Sequence, residues 1–221
     1  MKLYGVIGNG GFGREVMPLA AHCLATWGVG QDSELVFVVE DQFFTAQEKV
    51  NNHRVISMTD FLSASVSERR YNIAIGNSEA RERIANSIPC DAAKPFSIVA
   101  PNHVALQGNV IGDGAIFCSF SHVTSNAKIG RFFHGNIYSY VAHDCVIGDF
   151  VTFAPGVMCN GHVVVEDHAY VGTGVVIKDG TDKPVVIGRG AVVGMGAVVT
   201  KSVPPGTTVV GNPARPIAAR S

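Results

Sequence analysis

The chain of 221 residues carries 17 Lys and Arg against 18 Asp and Glu, and only 16% of its residues are charged. It has no basic block or stripe, which argues against nucleic acid and anionic membranes as partners. Its apolar runs are far shorter than the ~20 residues of a membrane-spanning helix. Five cysteines without CxxC spacing and a start without signal-peptide character favour reduced thiols in a cytoplasmic protein.

Residues 1–97 alternate between strand-like and helix-like segments. The apolar strand KLYGVIG leads into the glycine turn GNGGFG and then into helical spacing at residues 14–27. ELVFVVED is a second buried strand that ends in two acids, and YNIAIGNSEARERIANSI repeats the order of strand, turn and helix. This order predicts a small parallel sheet in an α/β domain.

From about residue 98 the pattern changes to short Val- and Ile-rich pieces separated by Gly, Asp and Asn. Apolar residues recur at every sixth position from Ile111 to Ile177, and only Gly135 interrupts the series. Three such steps make an 18-residue repeat, which predicts a parallel β-helix with three short strands in each coil. The next step, from Ile177 to Ile187, is four residues too long, so KDGTDKPVV is expected to leave the coil as a loop.

In such a fold, residues 18 apart are neighbours in adjacent coils, roughly 4.8 Å from each other. His143 then lies between Ser125 and Gly161 in one outward-facing column, with Asp144 in the column beside it. The glycine leaves room for a ligand and a free N–H, so we interpret the His-Asp pair as catalytic, although such a pair can also be ordinary surface. Four aromatic residues nearby are interpreted as a face that is buried against another subunit: Phe132, Phe133, Tyr138 and Tyr140.

Several quoted segments carry a family resemblance. Residues 98–216, closing on VTKSVPPGTTVVGNPAR, resemble the left-handed β-helix acyltransferases. The whole chain is similar to the bacterial nucleotide-amino-sugar N-acetyltransferases of the bacillosamine and perosamine type, through GNGGFGREV, FVVED, YNIAIGNSEARERI, NIYSYVAHDCVIGD and GNPAR. The resemblance implies a Rossmann-like nucleotide-sugar-binding domain over 1–97 and a left-handed parallel β-helix of hexapeptide repeats over 98–221.

It also implies an activity: transfer of acetyl from acetyl-CoA to a sugar amine, at C-4 rather than C-3, in surface-glycan or O-antigen biosynthesis. A homotrimer with active sites between subunits is expected, and no metal. By position, the base falls on His143 and the acid that tunes it on Asp144. The other implied contacts are Gly10, Gly11, Phe12, Glu40, Asp41, Gly76 and Asn136 for the nucleotide sugar, and Thr152, Gly161, Thr173 and Met195 for acetyl-CoA. Some relatives have His at the positions of Phe12 and Thr152, which weakens those two assignments.

Elementary chemistry fits these roles. A neutral imidazole can accept a proton from a sugar amine near neutral pH, and the N–H of Gly161 can stabilise the oxyanion. No Ser or Cys stands where a nucleophile would, so direct transfer in a ternary complex is expected. The glycine turn before a helix can seat a diphosphate, and Glu40 and Asp41 can bind a ribose or base. A turn without a ligand, or an NAD site, are the alternatives there.

Two other functions stay open at this point. One is an O-acetyltransferase that acts on a hydroxyl of a sugar or sialic acid, and the other is a zinc lyase or non-catalytic scaffold on the same fold. For a zinc lyase, the spacing of the remaining histidines gives no evident set of three ligands. UDP, GDP and dTDP are all compatible with the acidic strand end. Those histidines are His122, His134, His162 and His168.

Overall fold

The computed structural model describes residues 1–29, 32–45 and 49–217, and the chain divides into two compact units, Met1–Pro101 and Asn102–Ser221. The first unit has strands β1 (Lys2–Ile7), β2 (Ser33–Val39), β3 (Lys49–Val50), β4 (His53–Ser57), β5 (Glu68–Ile73), β6 (Lys94–Pro95) and β7 (Ile98–Val99). Its helices are α1 (Gly11–Thr26), α2 (Met58–Ser63) and α3 (Ser78–Ser87), with a 3-10 helix at Asp41–Phe43.

The first unit is built on a six-stranded sheet with the order β3-β4-β2-β1-β5-β6. All neighbours in it are parallel except β3 and β4, so the predicted small parallel sheet is confirmed. The central strands are buried on both faces, because helices cover both sides of a parallel sheet, and Val6, Val36 and Phe37 have no exposed surface. A Cβ on Gly5 would lie 2.7 Å from Val38, so the tight packing of β1 against β2 requires glycine there.

The second unit consists of short strands that form three parallel sheets, which confirms the predicted β-helix. Their orders along the coils are β24-β22-β19-β16-β13-β10, β23-β20-β17-β14-β11-β8 and β21-β18-β15-β12-β9, named here sides 1, 2 and 3. The strands are β8 (Val104–Ala105), β9 (Val110–Ile111), β10 (Ile116–Phe117), β11 (His122–Val123), β12 (Lys128–Ile129), β13 (His134–Gly135), β14 (Tyr140–Val141), β15 (Val146–Ile147), β16 (Thr152–Phe153), β17 (Met158–Cys159), β18 (Val163–Val165), β19 (Tyr170–Val171), β20 (Val176–Ile177), β21 (Val185–Ile187), β22 (Val192–Val193), β23 (Val198–Val199), β24 (Thr208–Val210) and β25 (Arg215–Pro216).

The sixth-position residues form the core of this unit. Val123, Val141, Cys159 and Ile177 are at most 2% exposed and stack in successive coils at 18-residue intervals. Where β18 pairs with β21 the interval is 22, since Val163 pairs with Val185. The four extra residues therefore leave the coil between β20 and β21, as the sequence predicts.

Most corners of the prism carry a residue in the left-handed backbone region. Gly, Asn, Asp and His adopt this conformation at low cost, whereas a bulky residue there is an outlier. Two such outliers, Phe132 and Phe150, stack on each other at 5.5 Å between ring centroids, so packing compensates for the backbone. The non-glycine corner residues of the β-helix with positive φ are Phe120, Asn126, Phe132, Tyr138, Asp144, Phe150, His162 and His168.

The aromatic residues near the His-Asp pair correct one expectation. Phe132 and Phe133 are 3% and 1% exposed, so they pack inside their own chain and form no face for a second subunit. Tyr138 is 62% exposed and stacks on Phe120, one coil earlier, at 5.1 Å. Among the described residues, no helix has the length and apolar character to cross a bilayer.

Candidate active site

His143 and Asp144 form the corner that leads from β14 on side 2 to β15 on side 3. The His143 side chain is 51% exposed, and its Nδ1 lies 2.9 Å from Oδ2 of Asp144. Asp144 sits in the left-handed region with φ 58°, a conformation that short polar residues tolerate. The hydrogen bond from His143 is the main cause that lowers the pKa of Asp144. Because an ionised carboxylate only accepts, Nδ1 carries the ring proton and Nε2 presents a lone pair.

Gly161 lies next to His143 in the following coil, as the 18-residue spacing predicts. A Cβ at this position would be 2.5 Å from Cε1 and 2.8 Å from Nε2 of His143, and 2.7 Å from Oδ2 of Asp179. Both side chains thus lean into the space that the glycine leaves. Among the described residues, no backbone carbonyl accepts a hydrogen bond from the N–H of Gly161. This donor is therefore available to a ligand.

Asp179 and His162 complete the polar corner, and the sequence interpretation missed the first of them. Asp179 follows Gly161 by 18 residues, so extending the column by one more coil finds it. Thr181 donates to Oδ1 of Asp179 from its N–H at 2.7 Å and its hydroxyl at 2.5 Å, and these bonds lower the pKa of Asp179. The same hydroxyl lies 3.2 Å from Nδ1 of His162, and Nε2 of His162 lies 3.7 Å from Asp144. Asp179 and Thr181, in the loop that leaves the coil, are therefore part of this polar corner.

Apolar side chains flank this corner on both neighbouring sides of the prism. On side 2, Met158 points outward and is 44% exposed, with Val176 and Val198 in the following coils. On side 3, Val146 is also 44% exposed, and Val164 lies beside it in the next coil. The polar corner is thus bordered by two strips of apolar surface.

The first unit contains a cavity of about 580 Å³ at the carboxyl ends of β1, β2 and β5. Five of the predicted nucleotide-sugar residues line it together: Gly10, Gly11, Phe12, Glu40 and Gly76. A Cβ on Gly10, Gly11 or Gly76 would meet no atom within 4 Å, so the backbone of each of these glycines faces open space.

Arg83 and Asp41 differ from the sequence-based interpretation of this cavity. Arg83 of α3 lines it and binds Glu40 through two hydrogen bonds of 2.5 and 3.0 Å, which raise the pKa of Arg83. Asp41 is not among the lining residues, because its carboxylate accepts bonds from the N–H and hydroxyl of Thr59, which lower its pKa. Glu40 and Asp41 are adjacent at a strand end, so their side chains diverge.

The remaining predicted residues lie away from the His143 corner. Thr173 and Met195 occupy successive positions on the edge between sides 1 and 2, where Met195 is 80% exposed. Asn136 lies on that same edge, and its side chain donates to the carbonyl of Phe153 at 2.8 Å. Thr152 points outward on side 1 and is 7% exposed. One chain thus carries the predicted acetyl-CoA contacts on two different edges and on side 1.

Comparison with known proteins places this architecture in a family. Residues 5–88 match the model of the PglD N-terminal domain. The chain is 50% identical to the GDP-perosamine N-acetyltransferase of Escherichia coli O157:H7, over 97% of this chain and 96% of the relative.

Two solved structures are similar along the whole chain. WeeI from Acinetobacter baumannii AYE is 50% identical with a TM-score of 0.91, and the match covers 98% of this chain and 100% of that one. The acetyltransferase domain of PglB from Neisseria gonorrhoeae FA1090, solved in complex with acetyl coenzyme A, is 31% identical with a TM-score of 0.84 and 98% coverage of both chains. The chain therefore belongs to the acetyl-CoA-dependent N-acetyltransferases of nucleotide-linked amino sugars, in which an α/β domain precedes a left-handed β-helix.

Proposed function

We propose that the chain transfers the acetyl group of acetyl-CoA to the C-4 amine of GDP-perosamine, with His143 as the general base. The identity of 50% to a GDP-perosamine N-acetyltransferase over nearly the full length supports this acceptor. The geometry that carries the role of His143 is the bond from its Nδ1 to Asp144, which leaves the lone pair of Nε2 for the amine proton, next to the space that Gly161 leaves open. The proposed base and the residue proposed to supply the oxyanion donor are thus neighbours at an exposed corner.

In the proposed reaction the amine attacks the thioester carbonyl carbon while Nε2 of His143 accepts the amine proton. The carbonyl oxygen becomes an oxyanion that the N–H of Gly161 stabilises, a contribution of about 3 kcal/mol for one such donor. Collapse of the intermediate breaks the C–S bond, and the imidazolium returns the proton to the leaving thiolate. Asp144 holds the tautomer and stabilises the imidazolium throughout.

The nearby thiols are too buried to act as nucleophiles, so direct transfer is proposed in place of an acyl-enzyme intermediate. Cys145 and Cys159 are buried with no exposed surface, and both contact the carbonyl of Asn160. The hydrogen bond between Cys159 and Cys145 raises the pKa of Cys159, and burial raises it further. A thiol that is inaccessible and paired is a poor nucleophile.

We infer a homotrimer with the active site between two chains. The strips around Met158 and Val146 leave apolar surface on both sides of the His143 corner, and a second copy would cover it. The predicted acetyl-CoA contacts Thr173 and Met195 lie on a different edge, so they can reach His143 only from a neighbouring chain. Free cysteines favour a cytoplasmic location, which is proposed for this chain.

The cavity of the first unit is proposed to hold the nucleotide diphosphate. Gly10 and Gly11 precede and begin α1, whose first N–H groups form an anion site together with the helix dipole. Arg83 adds a cation at the cavity, while Glu40 can accept hydrogen bonds from the ribose or the base.

A matched set of acceptors tests the proposal. The purified protein is assayed for CoA release with acetyl-CoA and the GDP-, UDP- and dTDP-linked 4-amino-4,6-dideoxyhexoses, together with the 4-hydroxy analogue of the GDP sugar. The highest kcat/KM is expected for GDP-perosamine. Higher kcat/KM with the 4-hydroxy analogue would instead establish an O-acetyltransferase.

The role of His143 is tested separately with His143→Asn. We expect kcat to fall by about 10²–10⁴, the usual contribution of a general base, with the Kd for CoA close to wild type. A His143→Asn enzyme with wild-type kcat would refute the assignment.

A further inference from the structure

The His143 corner brings together three side chains of the kinds that bind transition metals. One ligand atom each of His143, His162 and Asp179 lies within 4.8 Å of the other two. Two imidazoles and one carboxylate suit Zn²⁺, whereas Mg²⁺ and Ca²⁺ prefer oxygen ligands alone. We propose that these three residues form a Zn²⁺ site, and that zinc bound there inhibits the acetyltransferase reversibly by occupying Nε2 of His143.

Each of the three side chains already has one polar atom engaged and another one directed away from that contact. Nδ1 of His143 is bonded to Asp144, and Nδ1 of His162 lies 3.2 Å from the hydroxyl of Thr181. Both hydrogen bonds from Thr181 go to Oδ1 of Asp179, which leaves Oδ2 for a metal. A metal-binding histidine almost always has its second nitrogen held in this way by a carboxylate or another polar group. The corner thus supplies outer partners as well as ligands.

The ligands need to move only a short way to coordinate zinc. With bonds of about 2.0–2.2 Å, tetrahedral ligand atoms are roughly 3.4 Å apart, so a separation of 4.8 Å in the trio has to close by at most about 1.4 Å. The His143 and His162 side chains are 51% and 37% exposed, so their rings can rotate without disturbing the core. Gly161 leaves free the space between His143 and Asp179 that a Cβ would fill. Water can supply the fourth ligand.

Zinc binding and base catalysis exclude each other in this arrangement, because both use the same lone pair of His143. Zinc is therefore expected to compete with the acceptor amine. This consequence depends on the proposed role of His143, whereas the binding of zinc does not.

Calorimetric titration of ZnCl₂ into the metal-stripped, full-length protein tests the site. One Zn²⁺ per chain is expected for the wild type, and no heat of binding with MgCl₂. Loss of an outer partner of a metal ligand already costs about 10–100-fold in affinity, so Asp179→Asn, which removes a ligand charge, should weaken binding at least tenfold. Asp182→Asn in the same loop is the matched control and should bind zinc like the wild type. His162→Asn, which suits the left-handed corner, should reproduce the loss if Asp179→Asn folds poorly.

The same preparations are then assayed for CoA release. Zinc should inhibit the wild type, excess acceptor should relieve the inhibition, and EDTA should restore full activity. Equal zinc affinity in Asp179→Asn and Asp182→Asn would overturn the site and point to another one, such as the exposed Cys90. Zinc binding that depends on Asp179 but leaves activity unchanged would uphold the site and refute His143 as the base, so the two claims can fail separately.

Discussion

The imidazole of His143 packs directly on the backbone of Gly161 in the next coil, where a Cβ would stand 2.5 Å from Cε1 and 2.8 Å from Nε2. A gap below 3.0 Å forces a shift of the ring, the backbone or both. The position of the proposed base therefore requires that residue 161, the proposed source of the oxyanion donor, has no side chain.

Gly161→Ala keeps the backbone N–H but is expected to lower kcat by a factor of about 10², because the methyl group pushes the imidazole away from its position and a misplacement of about 1 Å can cost that much. The core residues around it are unchanged, so the melting temperature should fall only slightly. Ser125→Ala, in the same column one coil before His143, is the control and should retain wild-type kcat. Steady-state assays with both substrates saturating measure the effect. Wild-type kcat in Gly161→Ala would show that this contact has no catalytic consequence.

The acid sensitivity of the second unit is expected to depend on His103. Burial is the main cause that lowers its pKa from 6.5 to about 4, and the ring stacks on Phe117 with its Nδ1 2.9 Å from the hydroxyl of Ser121. Below about pH 6.5 His103 is protonated in the unfolded chain, whereas in the folded chain it is protonated only near pH 4. This contribution to the stability is therefore complete above pH 6.5 and decreases as the pH falls towards 4.

His103→Gln keeps a polar partner for Ser121 but cannot be protonated. The decrease in melting temperature between pH 7 and pH 4.5 should be smaller by several degrees than in the wild type, measured by thermal unfolding at each pH. His22→Gln, at an exposed position of α1, should behave like the wild type. An unchanged pH dependence in His103→Gln would mean that other groups set the acid sensitivity.

The proposed trimer makes a prediction at Met158. This side chain points outward from side 2 and is 44% exposed, so an apolar contact between chains would desolvate it. Met158→Glu would bury a charge without a partner at that contact, which is strongly unfavourable. Light scattering after gel filtration should give three chains for the wild type and a smaller species for the variant, which should also lose activity. Val210→Glu, at a position 39% exposed near the last coil, is the control. A wild type that runs as one chain would contradict the trimer.

The sequence predicted the β-helix well because one period determines both the side and the coil of each residue. It placed Gly161 beside His143, and the same count would have placed Asp179 one coil further along. It did not predict that Asp179 leans back over the glycine, since that depends on the hydrogen bonds with Thr181 in the loop outside the repeat. Phe133 was assigned to an interface because its type, apolar and bulky, fits both a core and a contact surface.

The first unit was harder to predict residue by residue. Its strand order and glycine turn follow from local patterns, whereas the lining of a cavity depends on which side chains of separate elements converge. Glu40 and Asp41 have the same chemistry and adjacent positions, yet only Glu40 lines the cavity. Arg83 lies 43 residues after Glu40 and reaches it only in the folded domain.

Arg83 gives the sharpest test of the nucleotide cavity. Hydrogen bonds to a charged group contribute about 1.5–3 kcal/mol, so Arg83→Gln should raise KM for the nucleotide sugar by roughly 10–100-fold if the guanidinium binds the diphosphate. KM for acetyl-CoA should stay unchanged, because no predicted acetyl-CoA contact lies in that cavity. Arg54 forms a comparable exposed pair with Glu34 at 2.8 Å outside the cavity, so Arg54→Gln controls for the loss of a surface ion pair. Equal KM values for the nucleotide sugar in the two variants would show that the diphosphate binds elsewhere. An increase confined to Arg83→Gln would locate it between α1 and α3.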